Sequence, residues 1–283
     1  MSRTVFTLAA VAALVFVLAP AVQAALYVYE PFDYPDGADI EGKEAQGLAP
    51  WSAGGGAGVI KAPGKTYFDD NSTSLIASGN YLKCTSGISV KIDTSLWPAG
   101  HKTGDCLGAP GATIWMSYIH KSSHAGDGIY EDISIPNENG GDGLLLGQYY
   151  WGNELSAIHA FPPEDATTDE ADMEHFILVR HQTDDAGDTV VDMWVDPPLT
   201  DEFGLPDLND PSPGVDHEST TDPYYGGHTF DTLRFRISNA DFVEYDEIRM
   251  GTSYIDVTGL PEPATLILVS LGAAGTLLGR KGR

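Results

Sequence analysis

Basic residues are scarce in this sequence: 15 lysines and arginines stand against 41 aspartates and glutamates, and the formal net charge is −26. A surface of that charge repels phosphate backbones, which excludes nucleic acid as a partner. The acidic excess fits three alternatives: the solubility of a surface protein, the binding of divalent cations, or a saline habitat.

Cysteine is also rare, since Cys84 and Cys106 are the only two. A disulfide between them would stabilise the fold by roughly 3 kcal/mol in an oxidising compartment. The alternative is two free, buried thiols. No second cysteine pair or histidine pair lies nearby, so these cysteines do not indicate a metal site.

Long apolar runs occur only at the two ends of the chain. At the N-terminus, Arg3 precedes the apolar stretch from Val5 to Leu18, and Val22-Gln23-Ala24 supplies small residues for cleavage before Ala25. This order of charge, apolar segment and small residues is typical of a secretory signal peptide. We therefore expect residues 1–24 to form a signal helix that is removed on export.

The C-terminal segment, residues 259–283, has three parts in a fixed order. They are the prolines and acid of Pro261, Glu262 and Pro263, the uncharged apolar run Ala264 to Leu278, and the basic end with Arg280, Lys281 and Arg283. The apolar run has 15 residues, so as a helix it reaches roughly 22 Å, which is short for a bilayer core of about 30 Å. The pattern therefore indicates a short transmembrane helix with transient membrane anchoring.

This tripartite segment resembles the PEP-CTERM sorting signal of exported bacterial proteins. The resemblance implies an exosortase-type membrane enzyme as partner, which would recognise the Pro-Glu-Pro motif and remove the tail. It also implies export, transient anchoring in the membrane, and a final location in the cell envelope or outside the cell. The alternative is an ordinary C-terminal membrane helix.

Between the two ends, residues 25–258 show period-two alternation of apolar and polar residues between turn clusters, which predicts β-strands. The predicted strands cover Leu26–Tyr29, Leu75–Lys83, Ile88–Ile92, Ile114–Tyr118, Leu144–Tyr150, Leu155–Phe161, Phe176–His181, Val191–Val195, Leu233–Ile237 and Phe242–Met250. No helix is predicted in this part, so we expect a single all-β domain with two packed antiparallel sheets. The stretch from Asp196 to Pro223 has no apolar period and is expected to be a surface excursion or a mobile loop.

Three short motifs, which follow one another along this domain, resemble those of a known domain family. They are Tyr29-Glu30-Pro31-Phe32-Asp33-Tyr34, the strand Thr189 to Pro197, and Tyr245 to Ser253 followed by Ile255-Asp256-Val257. Together they are similar to the concanavalin A-like (LamG-type) jelly-roll domains found upstream of PEP-CTERM signals in planctomycetes. The resemblance implies a sandwich of two curved antiparallel sheets in which the N- and C-terminal strands pair.

The same fold occurs in glycoside hydrolases, which need two facing carboxyl groups. Alternation in the sequence Glu244-Tyr245-Asp246-Glu247-Ile248 puts Glu244 and Asp246 on one face with Ile248 next, and points Glu247 away. An aliphatic side chain exchanges no proton, so we expect no enzymatic activity. Glu244 and Asp246 are expected to be solvated or paired with Arg234 or Arg236.

Two further sites are expected. Calcium binds several oxygen ligands, and acidic turns offer them at Asp127, Asp132, Asp142, Asp185 and Asp188. LamG-type domains often hold one calcium ion, although plain acidic turns explain the same residues. A platform for glycan rings is suggested by Tyr149 and Trp151 on one side of a strand, with core packing as the alternative.

The sequence thus predicts an exported, non-catalytic surface or matrix protein, whose work is adhesion or the binding of extracellular polysaccharide. The alternatives are a purely structural matrix protein and a glycan-cleaving enzyme.

Overall fold

The chain forms two packed β-sheets in a computed structural model. The described residues are 25–53, 56–69, 74–75, 78–123, 130–135, 144–148, 154–158, 167–168, 173–199, 216–221, 229–238 and 241–259. The predicted signal segment 1–24 and residues 260–283 of the predicted sorting segment lie outside them. Within the described residues, no helix is long and apolar enough to cross a membrane.

Among the described residues, sheet I has eight strands. They are β1 (Leu26–Glu30), β3 (Gly58–Lys61), β4 (Tyr81–Cys84), β8 (Thr113–Ser122), β13 (Glu174–Thr183), β14 (Thr189–Val195), β15 (Asp216–Thr221) and β17 (Val243–Gly251). The order across the sheet is β15-β14-β13-β8-β17-β4-β3, and β1 also pairs with β17. All of these pairings are antiparallel.

Sheet II has seven strands. They are β2 (Ser52–Ala53), β5 (Ile88–Lys91), β9 (Tyr130–Ile135), β10 (Leu144–Gln148), β11 (Glu154–Ile158), β12 (Thr167–Thr168) and β16 (Thr232–Ser238). The order is β12-β11-β10-β9-β16-β5-β2. A small separate ribbon joins β6 (Lys102–Thr103) to β7 (Cys106–Leu107).

The main core lies between the two sheets, where alternate residues of each strand point inward. Sheet I contributes residues such as Ile60 and Ile177, and sheet II contributes Ile88 and Phe235, all buried in one apolar cluster. Burial of such side chains is the main favourable term in folding, at roughly 25 cal/mol per Å² of apolar surface. The expectation of an all-β, two-layered, antiparallel fold is confirmed.

Sheet I is also covered on its outer face, by a short helix that the sequence analysis did not predict. Helix α1 (Tyr254–Thr258) begins with a capping box between Ser253 and Asp256 and ends at Gly259, whose φ is +66°. Its Tyr254 packs edge-on against Trp115, which stacks on Trp194 with ring centroids 5.9 Å apart. The second apolar cluster explains why β8 and β13 are buried on both faces.

The two ends of the domain meet in sheet I. Strand β1 pairs with β17 over Leu26 to Glu30, which confirms the expected pairing of terminal strands.

Two predictions were wrong in detail. The predicted strand Leu75–Lys83 shrinks to Tyr81–Cys84, because Leu75 packs in the outer cluster instead. The predicted excursion Asp196 to Pro223 contains β15, which pairs along β14 at the sheet edge.

Candidate functional site

The outer face of sheet II carries two arginines side by side. In β16, Leu233 and Phe235 are buried in the core, so alternation turns Arg234 and Arg236 to the opposite face, where both are half-buried. Their spacing of two residues puts their Cα atoms roughly 6.8 Å apart along the strand. A pair of guanidinium groups therefore faces outward in a chain with few cations.

Hydroxyl-bearing residues lie in register beside Arg234 on both neighbouring strands. Ser89 of β5 is its partner on one side and Ser134 of β9 on the other, and Ser52 of β2 is in turn the partner of Ser89. This row of paired positions crosses four strands. We call these positions, Ser52, Ser89, Arg234 and Ser134, the polar row.

A groove of about 430 Å³ opens at one end of the polar row. Three strands and the glycine before β5 form its walls. The lining residues are Ser52, Gly87, Ile88, Ser89, Arg234, Phe235, Arg236 and Ile237. The absence of a side chain at Gly87 keeps this part of the wall low. The groove is therefore lined by arginine and serine residues together with the backbone of β5 and β16.

The neighbouring cation on this face is already paired. Lys91 Nζ lies 2.9 Å from Asp231 Oδ2, and this hydrogen bond and charge attraction raise the pKa of Lys91. In contrast, no hydrogen bond or ion pair joins Arg234 to any residue of the described ranges.

A second polar cluster lies on the outer face of sheet I, where β17 has a bulge. The register between β17 and β8 shifts between Asp246 and Arg249, and Glu247 has φ of +52°. A bulge adds one residue and breaks strict alternation. Ile248 consequently points into the core, and Glu247 lies on the same side as Asp246. The predicted orientation of Glu247 and Ile248 was wrong.

Glu244 is buried beside lysines rather than solvated. Lys65 Nζ lies 2.7 Å from Glu244 Oε2 and 2.8 Å from Glu174 Oε1, and Lys83 Nζ lies 3.8 Å from Glu244 Oε1. Burial lowers the pKa of Lys65, but its hydrogen bonds to these two glutamates outweigh that effect and raise it. The expected pairing with Arg234 or Arg236 was wrong, because those arginines belong to the other sheet.

Asp246 and Glu247 are fully buried beneath the chain that leads into β4. Asp246 accepts hydrogen bonds from the backbone N–H of Lys65 at 2.7 Å and of Glu247 at 2.8 Å, and burial raises the pKa of its carboxyl to about 8. Glu247 accepts from the backbone N–H of Ser78 and from Arg249 Nη2 at 2.6 Å. These two buried carboxyl groups fasten the segment to the sheet.

The predicted calcium residues do not come together in the described part of the chain. Asp185 and Asp188 lie in the turn between β13 and β14, where Asp184 Oδ1 accepts from the N–H groups of Ala186 and Asp188. Asp132 lies within β9 opposite Arg236 rather than in a loop. Asp127 and Asp142 are outside the described residues, within which no group of three metal ligands occurs.

The other predicted sites have different outcomes. Cys84 and Cys106 are not joined to each other, so the suggested disulfide is not formed. Cys84 is buried in β4, and this burial raises the pKa of its thiol. The aromatic platform of Tyr149 and Trp151 lies outside the described residues, as do Pro261, Glu262 and Pro263 and the basic end at Arg280, Lys281 and Arg283.

Comparisons with known proteins bear on the fold. No family model and no curated protein matches the sequence. Among solved structures, the chain is similar to an endo-β-1,4-glucuronan lyase from Trichoderma reesei, with 14% identity, a TM-score of 0.36, and coverage of 73% of this chain and 96% of the lyase. It is also similar to a GH131 β-glucanase catalytic domain from Podospora anserina, with 12% identity, a TM-score of 0.39, and coverage of 81% and 98%.

A third similar structure is of botulinum neurotoxin type C, whose cell entry depends on interaction with two ganglioside molecules. The identity is 8% and the TM-score 0.39, and the match covers 79% of this chain and 49% of the toxin chain.

The prediction that this chain has no enzymatic activity is withdrawn, because its sequence-based premise fails. That premise put Ile248 where a carboxyl group would be needed, whereas the bulge turns Ile248 into the core and brings Glu247 beside Asp246.

Proposed function

We propose that the protein binds polysaccharide outside the cell, in the groove on the outer face of sheet II. One observation supports this proposal above the others. The groove lines up hydroxyl positions and guanidinium groups across neighbouring strands, Ser52 and Ser89 beside Arg234 and Arg236. Such donors and acceptors suit the hydroxyl and carboxyl groups of sugars.

The spacing of the polar row suits an extended chain that runs across the strands. Neighbouring strands lie roughly 4.8 Å apart. A polymer that lies across the strands therefore passes one polar position at each strand. A flat, open sheet face of this kind contacts a polymer along its length, whereas a small metabolite is usually enclosed in a deep pocket. The groove therefore favours a polymer over a small ligand.

The sequences of the two chain ends support export to a compartment where polysaccharide is abundant. The proposed route is export by the signal segment, transient anchoring by the C-terminal helix, and processing by an exosortase-type enzyme at Pro261-Glu262-Pro263. The mature protein would reside in the cell envelope or extracellular matrix. We propose that its sandwich is a jelly roll of the concanavalin A-like type, with calcium as an optional ligand of its acidic turns.

The test is a polysaccharide array probed with the purified full-length chain, with and without a calcium chelator. We expect saturable retention on a subset of polymers, and weaker retention when Ser89→Trp fills the groove with a bulky, uncharged side chain. Circular dichroism of the variant should match the parent, since Ser89 faces outward from β5. The release of reducing ends from each bound polymer is measured in the same samples and reports whether binding leads to cleavage.

Lys61→Ala, at the other sheet, is the control for array binding. Retention that the groove-filling variant leaves unchanged would contradict the assignment to this groove. Lack of retention on every polymer would contradict the proposed function itself.

A further inference from the structure

Helix α1 fixes the point at which the chain leaves the sandwich. Tyr254 packs on Trp115 with ring centroids 5.7 Å apart, and the backbone oxygen of Val257 accepts a hydrogen bond of 2.7 Å from Ser117 Oγ. Ser117 lies near the middle of the ten-residue strand β8. Gly259 follows Val257 by two residues and is therefore within roughly 7 Å of it. The chain thus leaves the sandwich above the middle of the outer face of sheet I.

Contacts at the start of α1 hold this exit point in place. The Asp256 carboxylate accepts hydrogen bonds from the backbone N–H groups of Thr252 and Ser253, both at 2.8 Å. A side chain at Gly251 would collide with Asp256, so the helix sits directly on the end of β17. Helix α1 therefore cannot swing away from the sheet without breaking these contacts.

The link between this exit point and the C-terminal apolar run is short. Only Leu260 to Pro263 separate Gly259 from Ala264, where the run begins. A link of this length spans at most roughly 18 Å in any conformation. We propose that the outer face of sheet I rests on the lipid surface while the run is anchored in a bilayer, and that the groove of sheet II faces away from it. This inference rests on the transient anchoring that is part of the proposed function.

The reach of the link excludes the opposite orientation. To place sheet II on the bilayer, the link would have to pass from the middle of sheet I around an edge of the sandwich. Helix α1 contacts β8 and β17, and at least two further strands lie on either side of this pair, a width of roughly 10 Å. The path would also descend past the helix, roughly 10 Å thick, and past two sheets packed roughly 10 Å apart. These distances together exceed the reach of the link.

An exposed aromatic side chain favours contact through the face of sheet I over contact through an edge. Phe68 is 62% exposed, the highest value among the large apolar side chains of the described residues. It belongs to the segment that covers the outer face of sheet I, where the neighbouring Tyr67 stacks on Phe176 with ring centroids 5.1 Å apart. Transfer of such a side chain from water to the lipid interface is favourable. Phe68 and the exit point of the chain therefore lie on the same side of the sandwich.

The experiment uses the chain after export and removal of residues 1–24, inserted through its own apolar run into phosphatidylcholine vesicles. This lipid has no net charge and does not repel the acidic protein. Cys106→Ser is the background, in which the buried Cys84 is the remaining thiol. A fluorophore is attached at Thr66→Cys, an exposed position two residues before Phe68, or at Ser89→Cys in the groove. We expect brominated lipid to quench the label at Thr66→Cys strongly and to leave the label at Ser89→Cys at its value in lipid-free solution.

Phe68→Ser tests the apolar contact with lipid. We expect it to lower the quenching at Thr66→Cys, because the exposed ring no longer enters the interface. Leu96→Ser is the matched control, since it removes another exposed apolar side chain from the turn after β5 of sheet II. It should leave the quenching unchanged. Equal effects of the two substitutions would overturn the assignment to this face.

Flotation of the vesicles tests the anchoring separately. Ile267→Asp places a charge in the apolar run and should abolish flotation of the protein with the vesicles. Failure of the unsubstituted chain to float would contradict the proposed anchoring itself. Flotation with equal quenching at Thr66→Cys and Ser89→Cys, or with stronger quenching at Ser89→Cys, would overturn the orientation and leave the anchoring intact.

Discussion

Replacement of Glu30 by leucine should remove about 2 to 6 kcal/mol from the free energy of unfolding. The Glu30 carboxylate is fully buried and accepts three hydrogen bonds, from the backbone N–H of Phe32 at 2.8 Å, from Tyr34 Oη at 3.1 Å and from Trp51 Nε1 at 2.9 Å. The hydroxyl of Tyr34 also has the backbone oxygen of Glu44 as an acceptor at 2.8 Å. Leucine has a similar volume but leaves the two N–H donors without an acceptor, and each such buried donor costs about 1 to 3 kcal/mol.

This carboxylate organises the first motif of the domain. Phe32 has φ of +52°, a conformation that costs a non-glycine residue energy, and its N–H is held by Glu30. The ring of Phe32 also packs on Trp51 with centroids 6.0 Å apart. Loss of the carboxylate therefore releases the turn after β1 together with part of the core.

Urea unfolding of the full-length chain, followed by tryptophan fluorescence, measures this change. Glu30→Gln keeps one acceptor oxygen and should lose an intermediate amount, about 1 to 3 kcal/mol. The control is Glu41→Gln at an exposed position, which should stay within about 0.5 kcal/mol of the parent. A leucine variant as stable as that control would show that the three hydrogen bonds contribute little.

Asp246→Asn should change how stability depends on pH. The pKa of Asp246 in the folded protein is raised from 3.8 to about 8 by burial, with the charge of Glu247 as a further cause. Between these two pH values, the unfolded chain releases the proton and the folded chain retains it. The contribution of this group to stability is therefore complete below pH 3.8 and is lost as pH rises to about 8.

The expected loss is about 1.4 kcal/mol per pH unit within that window, for a single group that titrates in this way. Asparagine does not titrate, so the difference in unfolding free energy between parent and variant should move in favour of the variant as pH rises. Glu244, Glu247, Lys65 and Arg249, the charged groups of the same cluster, are present in both proteins. Their own titration is thus largely removed by the comparison.

The measurement is a series of urea unfolding curves from about pH 5 to pH 8. Asp105→Asn, at an exposed position, serves as control and should run parallel to the parent. Parallel curves for parent and Asp246→Asn would contradict a retained proton on Asp246.

Much of the fold could be predicted from local patterns. Alternation in Leu233 to Ile237 and in Val191 to Val195 correctly predicted strands, since the period of two follows directly from strand geometry. Helix α1 was missed, although Ser253 and Asp256 have the spacing of a capping box. Its five residues are too few for a helical period to be visible.

The candidate groove was harder to predict. Arg234 and Arg236 alternate with apolar residues in a chain poor in cations, and this signal was available in the sequence. The serines beside them could not be predicted, because Ser52 and Ser89 are brought to this site only by strand pairing between segments that are far apart in the sequence.

The sequence by itself determined the class of the fold, the sign of the surface charge and the composition of the two chain ends, because these depend on composition and on local periods. The tertiary structure decided which charged groups are buried and which face outward. The bulge at Glu247 overturned a strict alternation, and Lys65 came to lie beside Glu244 from a distant part of the chain. Strand register is set by contacts between remote segments, so no local pattern contains it.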